Sequence, residues 1–548
     1  MAHVFVALDR EKPYEKASLY NRSGSAVRQV LWGDWLEVAE PQDIPQGSQN
    51  SDTWLWVRWA WSHPDPAKRM VYKIKRKFTQ SARPLEIIFV DVGIGDGAVL
   101  ITPERDTGTD AVNLAREERV IVIDAGKNKA MREFLDGRFK AYRKGFDFHA
   151  AIITHSDLDH YGGFSSLVSN KKITFRHLYH NGIAELSSAE DWSRVGGVRN
   201  APASNVDYVD KLVVTDAQAR ATFDPALGRT NKYARIFASG IEKGNLGDFS
   251  MLGVNIGAKE NPPGAERDHY WVPGFAPSAG REYTIEVLGP WVEYPFGPGD
   301  PALRVFEDSL SHTKNGHSVL LRLAFGNFSV LFGGDLNRAS ERFLLQKYAG
   351  IEAWPEGDAA ARNEMIGKAS KALSSDVMKT CHHGASDVTD EFLMAVNPAA
   401  FVISSGDQDA NYVHPRPDLL GRLGRAGRGD APVLLSTELQ RSTRDIDNSK
   451  LVARLTREIK ELTACDAAAH TAAGFEESRA EELAGLLEDF ADLALPSVAV
   501  DGAIYVKTDG DLLIAAFKKE TQDPKSKWFY YAYRLTAEGT LELIPHPD

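Results

Sequence analysis

Cysteine is almost absent from this chain: 548 residues carry two, Cys381 and Cys465. That excludes a disulfide framework, and with it the small cross-linked secreted scaffolds; a cytoplasmic setting is the expectation. Long hydrophobic runs are also missing. No apolar stretch reaches the roughly 18 residues that would span a bilayer. Met1-Ala2-His3-Val4-Phe5 lacks the basic and apolar regions of an export signal. No membrane association is therefore expected. Excess positive charge is lacking too. The net charge is −12, which disfavours broad, non-specific attraction to nucleic acid, although bound cations and a local basic patch can reverse the field at one site. There is no fixed-period repeat and no low-complexity tract. What remains is an ordinary globular composition, 43% apolar, with length for about three or four domains.

Aromatic residues crowd one end. Six of the eleven tryptophans lie in the first 61 residues: Trp32, Trp35, Trp54, Trp56, Trp59 and Trp61. The alternation through Trp54-Leu55-Trp56-Val57, with the runs Tyr20–Gly24 and Leu31–Val38, predicts short strands of a small β-barrel over residues 1–82. This stretch is similar to bacterial SH3-like modules, which bind peptides, glycans or partner domains. A protein partner is thus one expectation, and a purely structural aromatic core is the other. The basic cluster Lys68, Arg69, Lys73, Lys75, Arg76 and Lys77 reads either as a phosphate contact or as a solvated strand face.

Residues 83–430 alternate strand and helix patterns, which predicts an α/β sandwich of two mixed sheets faced by helices. Between His160 and Asn315 lie 154 residues. Their middle part, about 184–279, is polar and rich in Gly and Pro, and reads as an insertion: a lid over a site or a partner-binding surface. Residues 431–495 read as a helical arm, with Leu451, Leu455, Ile459 and Leu462 at helical spacing, and 496–548 as a C-terminal β segment.

The most informative stretch is His155-Ser156-Asp157-Leu158-Asp159-His160, followed by Gly162-Gly163. Four side chains able to ligate a metal fall within six residues, directly after the apolar run Ala150–Ile153. Imidazoles and carboxylates suit divalent ions such as Zn²⁺ or Mn²⁺. In an extended loop His155 and Asp157 share one side, leaving Asp159 and His160 to turn toward a second ion. Two ions so placed suit hydrolysis, above all of phosphodiesters.

This run resembles the hallmark H-x-H-x-D-H of the metallo-β-lactamase superfamily, with Asp157 where the second His usually stands. The departure resembles the subgroup typified by the soluble hydrolase domain of the DNA-uptake protein ComEC. The same order of motifs continues over about Ile87–Leu423: Phe89–Gly97, Val122–Gly126, Asn315-Gly316-His317-Ser318, Val330–Asp335, Asp376–Ser386, Val402–Gly406 and Tyr412–Pro415. The resemblance implies an αββα sandwich holding two divalent ions. Asp335 would bridge them, with His155, Asp157, Asp159 and His160 as ligands. Of the pair His382-His383, adjacent residues of an extended segment face opposite ways. His382 is favoured as ligand, and His383 either as a support behind the ligands or as a phosphate contact. Either Asn315 or His317 would stand at the position of the superfamily's third histidine, and His317 is carried as a candidate ligand. Asp91 and Asp124 would orient the metal loop. His414, before Pro415, or His383 would assist the leaving oxygen, His414 alternatively binding a phosphate, while Asp159 or Asp157 would hold the proton of the attacking water. Ser386 and Lys379 are further phosphate candidates. The function implied is a metal-dependent phosphodiesterase or nuclease, with single-stranded DNA favoured. A small-molecule hydrolase acting on a cyclic nucleotide, lactone or thioester, and a partner-gated effector subunit, stay open beside it.

Overall fold

The computed structural model describes residues 3–59, 70–103, 118–138, 145–257, 259–278, 281–406, 414–429, 432–438, 502–519, 521, 523–536 and 541–547. Trp61, Lys68, Arg69, Cys465 and the expected helical arm from residue 439 onward lie outside these. Among the described residues no helix is long and apolar enough to cross a membrane.

The N-terminal residues form a seven-stranded antiparallel sheet, from His3–Val6 to Thr79–Gln80. Alternation along its strands turns Val6, Leu19, Leu36, Leu55, Val57 and Ile74 into a small core of their own. Of the aromatics, Trp32 is buried in the core of the larger region that follows instead.

The larger region that follows is built of four layers. A ten-stranded sheet runs, in spatial order, Leu246–Met251, Ile173–His180, Phe146–Ile153, Val120–Ala125, Gly97–Ile101, Leu85–Phe89, then Ile504–Thr508, Leu512–Lys518, Trp528–Leu535 and Leu541–Leu543. A six-stranded sheet, Tyr283–Gly289, Leu320–Phe325, Phe328–Phe332, Val377–Lys379, Ala400–Ile403 and Val433–Ser436, packs against it. Ile87, Phe89, Ile121 and Ile152 of one sheet meet Leu321, Leu323, Val330 and Val402 of the other in a core between them. The outer face of the larger sheet is covered by Met131, Phe134, Leu167, Tyr233 and Phe237 from helices. Leu344, Met365, Phe392 and Leu419 do the same for the smaller sheet.

Three expectations change. The residues 184–279 are not a lid throughout. The helix Lys232–Lys243 carries Tyr233, Ile236 and Phe237 on one face and buries them against the larger sheet. The following strand, Leu246–Met251, pairs parallel with Ile173–His180. The first residues of the expected arm are a strand, Val433–Ser436, parallel to Ala400–Ile403. The C-terminal β segment is no appendage either: Ile504–Thr508 pairs antiparallel with Leu85–Phe89, in register Val506 to Ile87. Its period-2 alternation feeds two cores, Ile504 and Val506 between the sheets, Tyr505 under the helices. A buried charge cluster accompanies the pairing. Glu86 receives Arg83 at 3.2 Å and Arg138 at 3.1 Å, with Lys507 at 3.6 Å. Burial opposes ionisation of Glu86, but Lys507, Arg138 and Arg83 hold its carboxyl down to about 2.

Candidate metal centre

The site forms where strands from both sheets end. Val120–Ala125 and Phe146–Ile153 run parallel, Ile123 beside Ile152, so Asp124 and Thr154 emerge together. The Thr154 backbone N–H and hydroxyl donate to the two oxygens of Asp124 at 2.8 and 2.6 Å. The chain then turns through His155, Ser156 and Asp157 into a helical turn that starts at Leu158 and carries Asp159 and His160. Gly163 lets this turn lie against the strand below: a Cβ there would sit 2.1 Å from the Ala125 carbonyl oxygen. Gly95, at φ 101°, lets a second loop approach from the other side, where a Cβ would be 1.8 Å from the Asp159 carbonyl oxygen. In the smaller sheet Phe332 runs beside Lys379, and the next residues deliver Asp335 and His383.

These side chains converge. His160 Nε2 and His383 Nε2 are 3.2 Å apart, and lie 3.2 and 3.0 Å from Asp335 Oδ2. Asp159 Oδ2 is 3.5 Å from His383 Nε2. His155 Nε2 stands 3.8 Å from Asp157 Oδ2 and 4.0 Å from Asp335 Oδ2. Asp96, His160, Asp335 and His383 are all buried and each offers one ligand atom within 4.8 Å of the others.

The donor set fits a cation. His160 Nδ1 lies 2.8 Å from Asp124 Oδ2, and His383 Nδ1 3.0 Å from Asp96 Oδ1. A carboxylate on Nδ1 fixes the proton there and leaves Nε2 as a lone pair, the arrangement that metal-binding imidazoles use. The Oδ1 of Asp335 is buried with no hydrogen-bond partner. Burial lowers the affinity of both imidazoles for a proton, yet Asp335 and Asp124 at His160, and Asp335 and Asp96 at His383, hold both well above the usual histidine range. So much negative charge around two facing nitrogens is what a divalent ion replaces protons to neutralise.

A family model, that of the metallo-beta-lactamase superfamily, matches residues 105–384, just over half of the chain. The chain belongs to the metallo-beta-lactamase superfamily. No curated protein matches it. Superfamily membership and the buried His/Asp cluster together indicate a metal-dependent hydrolase.

Several expected members of this superfamily site are placed differently. His383, not His382, turns inward. The segment is not extended: His382, His383 and Gly384 all have positive φ, 49°, 54° and 84°, so the alternation argument does not apply. His382 lines the open cleft beside His414, ring centroids 6.1 Å apart. His317 does not reach the centre. Its Nε2 bonds the Arg304 carbonyl at 2.7 Å, its ring stacks on Phe306, and burial pushes its pKa down to about 4. Asn315 takes its place. With its amide nitrogen facing inward, it donates to Asp157 Oδ2 at 2.8 Å. Asp91 accepts the Gly93 N–H at 3.1 Å; the histidine partners are Asp124 and Asp96. Lys379 is buried, ion-paired with Asp96 and donating to the Gly334 carbonyl at 3.0 Å, so it stands behind the centre and does not line the cleft. Ser386 is absent from the cleft lining as well.

Two features had no place in the sequence reading. Asp96 carried a signal, an aspartate between Gly95 and Gly97 at a strand start. Lys314, beside Asn315, is buried and pairs with Asp157 and with Glu185, the latter at 2.8 Å. Glu185 in turn takes Arg194 at 2.8 Å. This chain of charges comes from the inserted residues, and Lys314, ahead of His155, holds the Asp157 carboxyl below the usual range against its burial.

Proposed function

We propose that the protein is a metal-dependent phosphodiesterase that cleaves nucleic-acid strands, single-stranded DNA foremost. The observation that carries the class of reaction is the convergence of His160, Asp335 and His383, with Asp159, on the floor of a cleft of about 830 Å³ walled by further imidazoles, His312, His382 and His414. The turn toward DNA comes from the ComEC-like motif order. A divalent cation, Zn²⁺ or Mn²⁺, held by His160, Asp335 and His383 would polarise the ester and make a water acidic enough to attack it. His155 with Asp157 would serve a second ion. Asp159 would accept the proton of the water: it lines the cleft, and its interaction with His383 and the charge of His160 outweigh burial and keep it ionised. Burial, then His383 and His382, hold His414 down to about 4. At neutral pH it therefore offers the leaving oxygen a hydrogen bond from an uncharged ring.

One observation favours a second reading, a small phosphodiester such as a cyclic nucleotide. No Lys or Arg is among the described residues lining the cleft, so nothing there tracks a long polyanionic backbone. The test is hydrolysis by metal-stripped protein given back Mn²⁺, Zn²⁺ or Mg²⁺ singly, with Asp335→Ala as control. Labelled single- and double-stranded DNA and RNA are offered beside bis-p-nitrophenyl phosphate and cyclic dinucleotides. Strand cleavage lost in Asp335→Ala establishes the nuclease. Turnover of the small esters alone establishes the second reading. Metal uptake with no turnover of any of them overturns both and favours a partner-gated subunit.

A further inference from the structure

A second cleft, of about 930 Å³, shares no lining residue with the first. It lies where three parts of the chain meet: the strand Ala26–Gln29, the end of the helix Ala130–Arg138, and the C-terminal strands around Lys518 and Trp528. The helix starts just beyond Gly126, at the metal end of the sheet, and advances about 1.5 Å per residue away from it. Its last residues, Gly137 and Arg138, therefore place this cleft away from the metal centre.

Five basic side chains and one carboxylate, Asp34, line it. Two of the bases are neutralised by Glu86, Arg138 at 3.1 Å and Lys507 at 3.6 Å. Arg28 is not. Among the described residues it makes no ion pair or hydrogen bond, and its guanidinium instead lies over the Trp59 ring, 4.0 Å from the centroid. It is half-buried, and that burial pushes its pKa below the usual arginine range. Lys527 donates to the Thr521 carbonyl at 3.1 Å and forms no ion pair among the described residues. Val30 and Leu31 add apolar lining, and Trp59, Tyr505 and Trp528 add aromatic lining. Trp528 meets Tyr505 edge-on, centroids 5.1 Å apart.

We propose that this cleft binds a nucleotide, its phosphates at Arg28, Lys518 and Lys527 and its base against Trp59 and Trp528. A bare anion would neutralise the cations but leave the aromatic walls and most of the volume unused. A neutral apolar ligand would leave half-buried Arg28 with Asp34 as the one carboxylate of the cleft. A nucleotide supplies both halves: phosphate oxygens for a guanidinium that is already held rigid by stacking, and a π-face for the rings. The proposal does not depend on which ester the metal centre cleaves.

The experiment is calorimetric titration of the full chain, carrying Asp335→Asn and kept in EDTA so that the metal centre contributes neither turnover nor phosphate binding. The probes are ATP, AMP and inorganic tripolyphosphate. ATP is expected to bind at least about tenfold more tightly than tripolyphosphate, and Arg28→Gln to weaken ATP at least about tenfold. Lys527→Gln, at the rim, tests the same contact if Arg28→Gln does not fold, with at least about a threefold weakening expected. Equal affinity for ATP and tripolyphosphate, no binding of ATP, or unchanged affinity in a folded Arg28→Gln or Lys527→Gln protein would each overturn it.

Discussion

Asp96 and Asp124 hold one imidazole each, from opposite sheets, by the same bond to Nδ1. Asparagine at either position keeps the shape and loses the charge that fixes the tautomer. Asp96→Asn and Asp124→Asn should each lower metal affinity roughly 10–100-fold, read by chelator competition, with the circular dichroism unchanged. Affinity equal to wild type would show that the bond positions nothing. His317→Ala should behave oppositely: metal content unchanged, stability reduced by roughly 1–3 kcal/mol through the lost bond to the Arg304 carbonyl. Lys314 competes with a cation for Asp157. Metal analysis should therefore find one tightly held ion per chain, with a second taken up more readily by Lys314→Met; identical stoichiometry in both proteins would refute the competition. At this scale the sequence showed the residue types and, of the buried cluster, His160 and Asp335. The spacing of His155 to His160 is local, so it survives without a structure. The choice between His382 and His383 depends on backbone dihedrals that only the packed turn imposes, and the roles of Asp96 and Lys314 on contacts between segments far apart in the chain.

Elements are coupled by two buried carboxyls of opposite behaviour. Glu86 ties the strand Leu85–Phe89 to Ile504–Thr508 through Lys507. Lys507→Ala leaves a buried anion short of one partner and should cost roughly 3–5 kcal/mol in a denaturant titration. Glu341, on the helix Arg338–Ala349, accepts the backbone N–H and hydroxyl of Thr389, the cap of the helix Asp390–Val396, at 2.5 and 2.8 Å. Burial outweighs these bonds and raises its pKa from 4.5 to about 8. The folded protein keeps this proton where the unfolded chain releases it. Its contribution is thus whole below about pH 4.5 and is lost as pH rises through about 8. Glu341→Gln should flatten the fall in melting temperature between these limits. An unchanged slope would place the proton elsewhere. The alternation of strand and helix patterns does not reveal the carboxyl that joins these two helices, because burial between elements leaves no mark on either segment alone.

The whole molecule is less modular than its sequence. Alternating strands and helices predicted the sandwich correctly, since each element's hydrophobic period is set by the face it buries. The inserted residues and the C-terminal segment were harder to read. The polar average over 184–279 hides the apolar face of Lys232–Lys243, and nothing local in Ile504–Thr508 names Leu85–Phe89 as its partner. Deleting residues 502–548 should leave a protein that binds hydrophobic dyes and loses near-ultraviolet dichroism, because Ile504, Val506, Leu513 and Tyr533 leave the core between the sheets. A truncated protein that stays folded and keeps its metal would contradict this. The pairing also has a meaning in time. A ribosome makes Leu85–Phe89 roughly 400 residues before the strand that completes it, and contacts so distant form slowly. Each candidate ligand, His383 the last of them, is therefore synthesised while the larger sheet still has an open edge. The nascent chain must stay unaggregated through that interval, until the strand at Ile504 has left the exit tunnel.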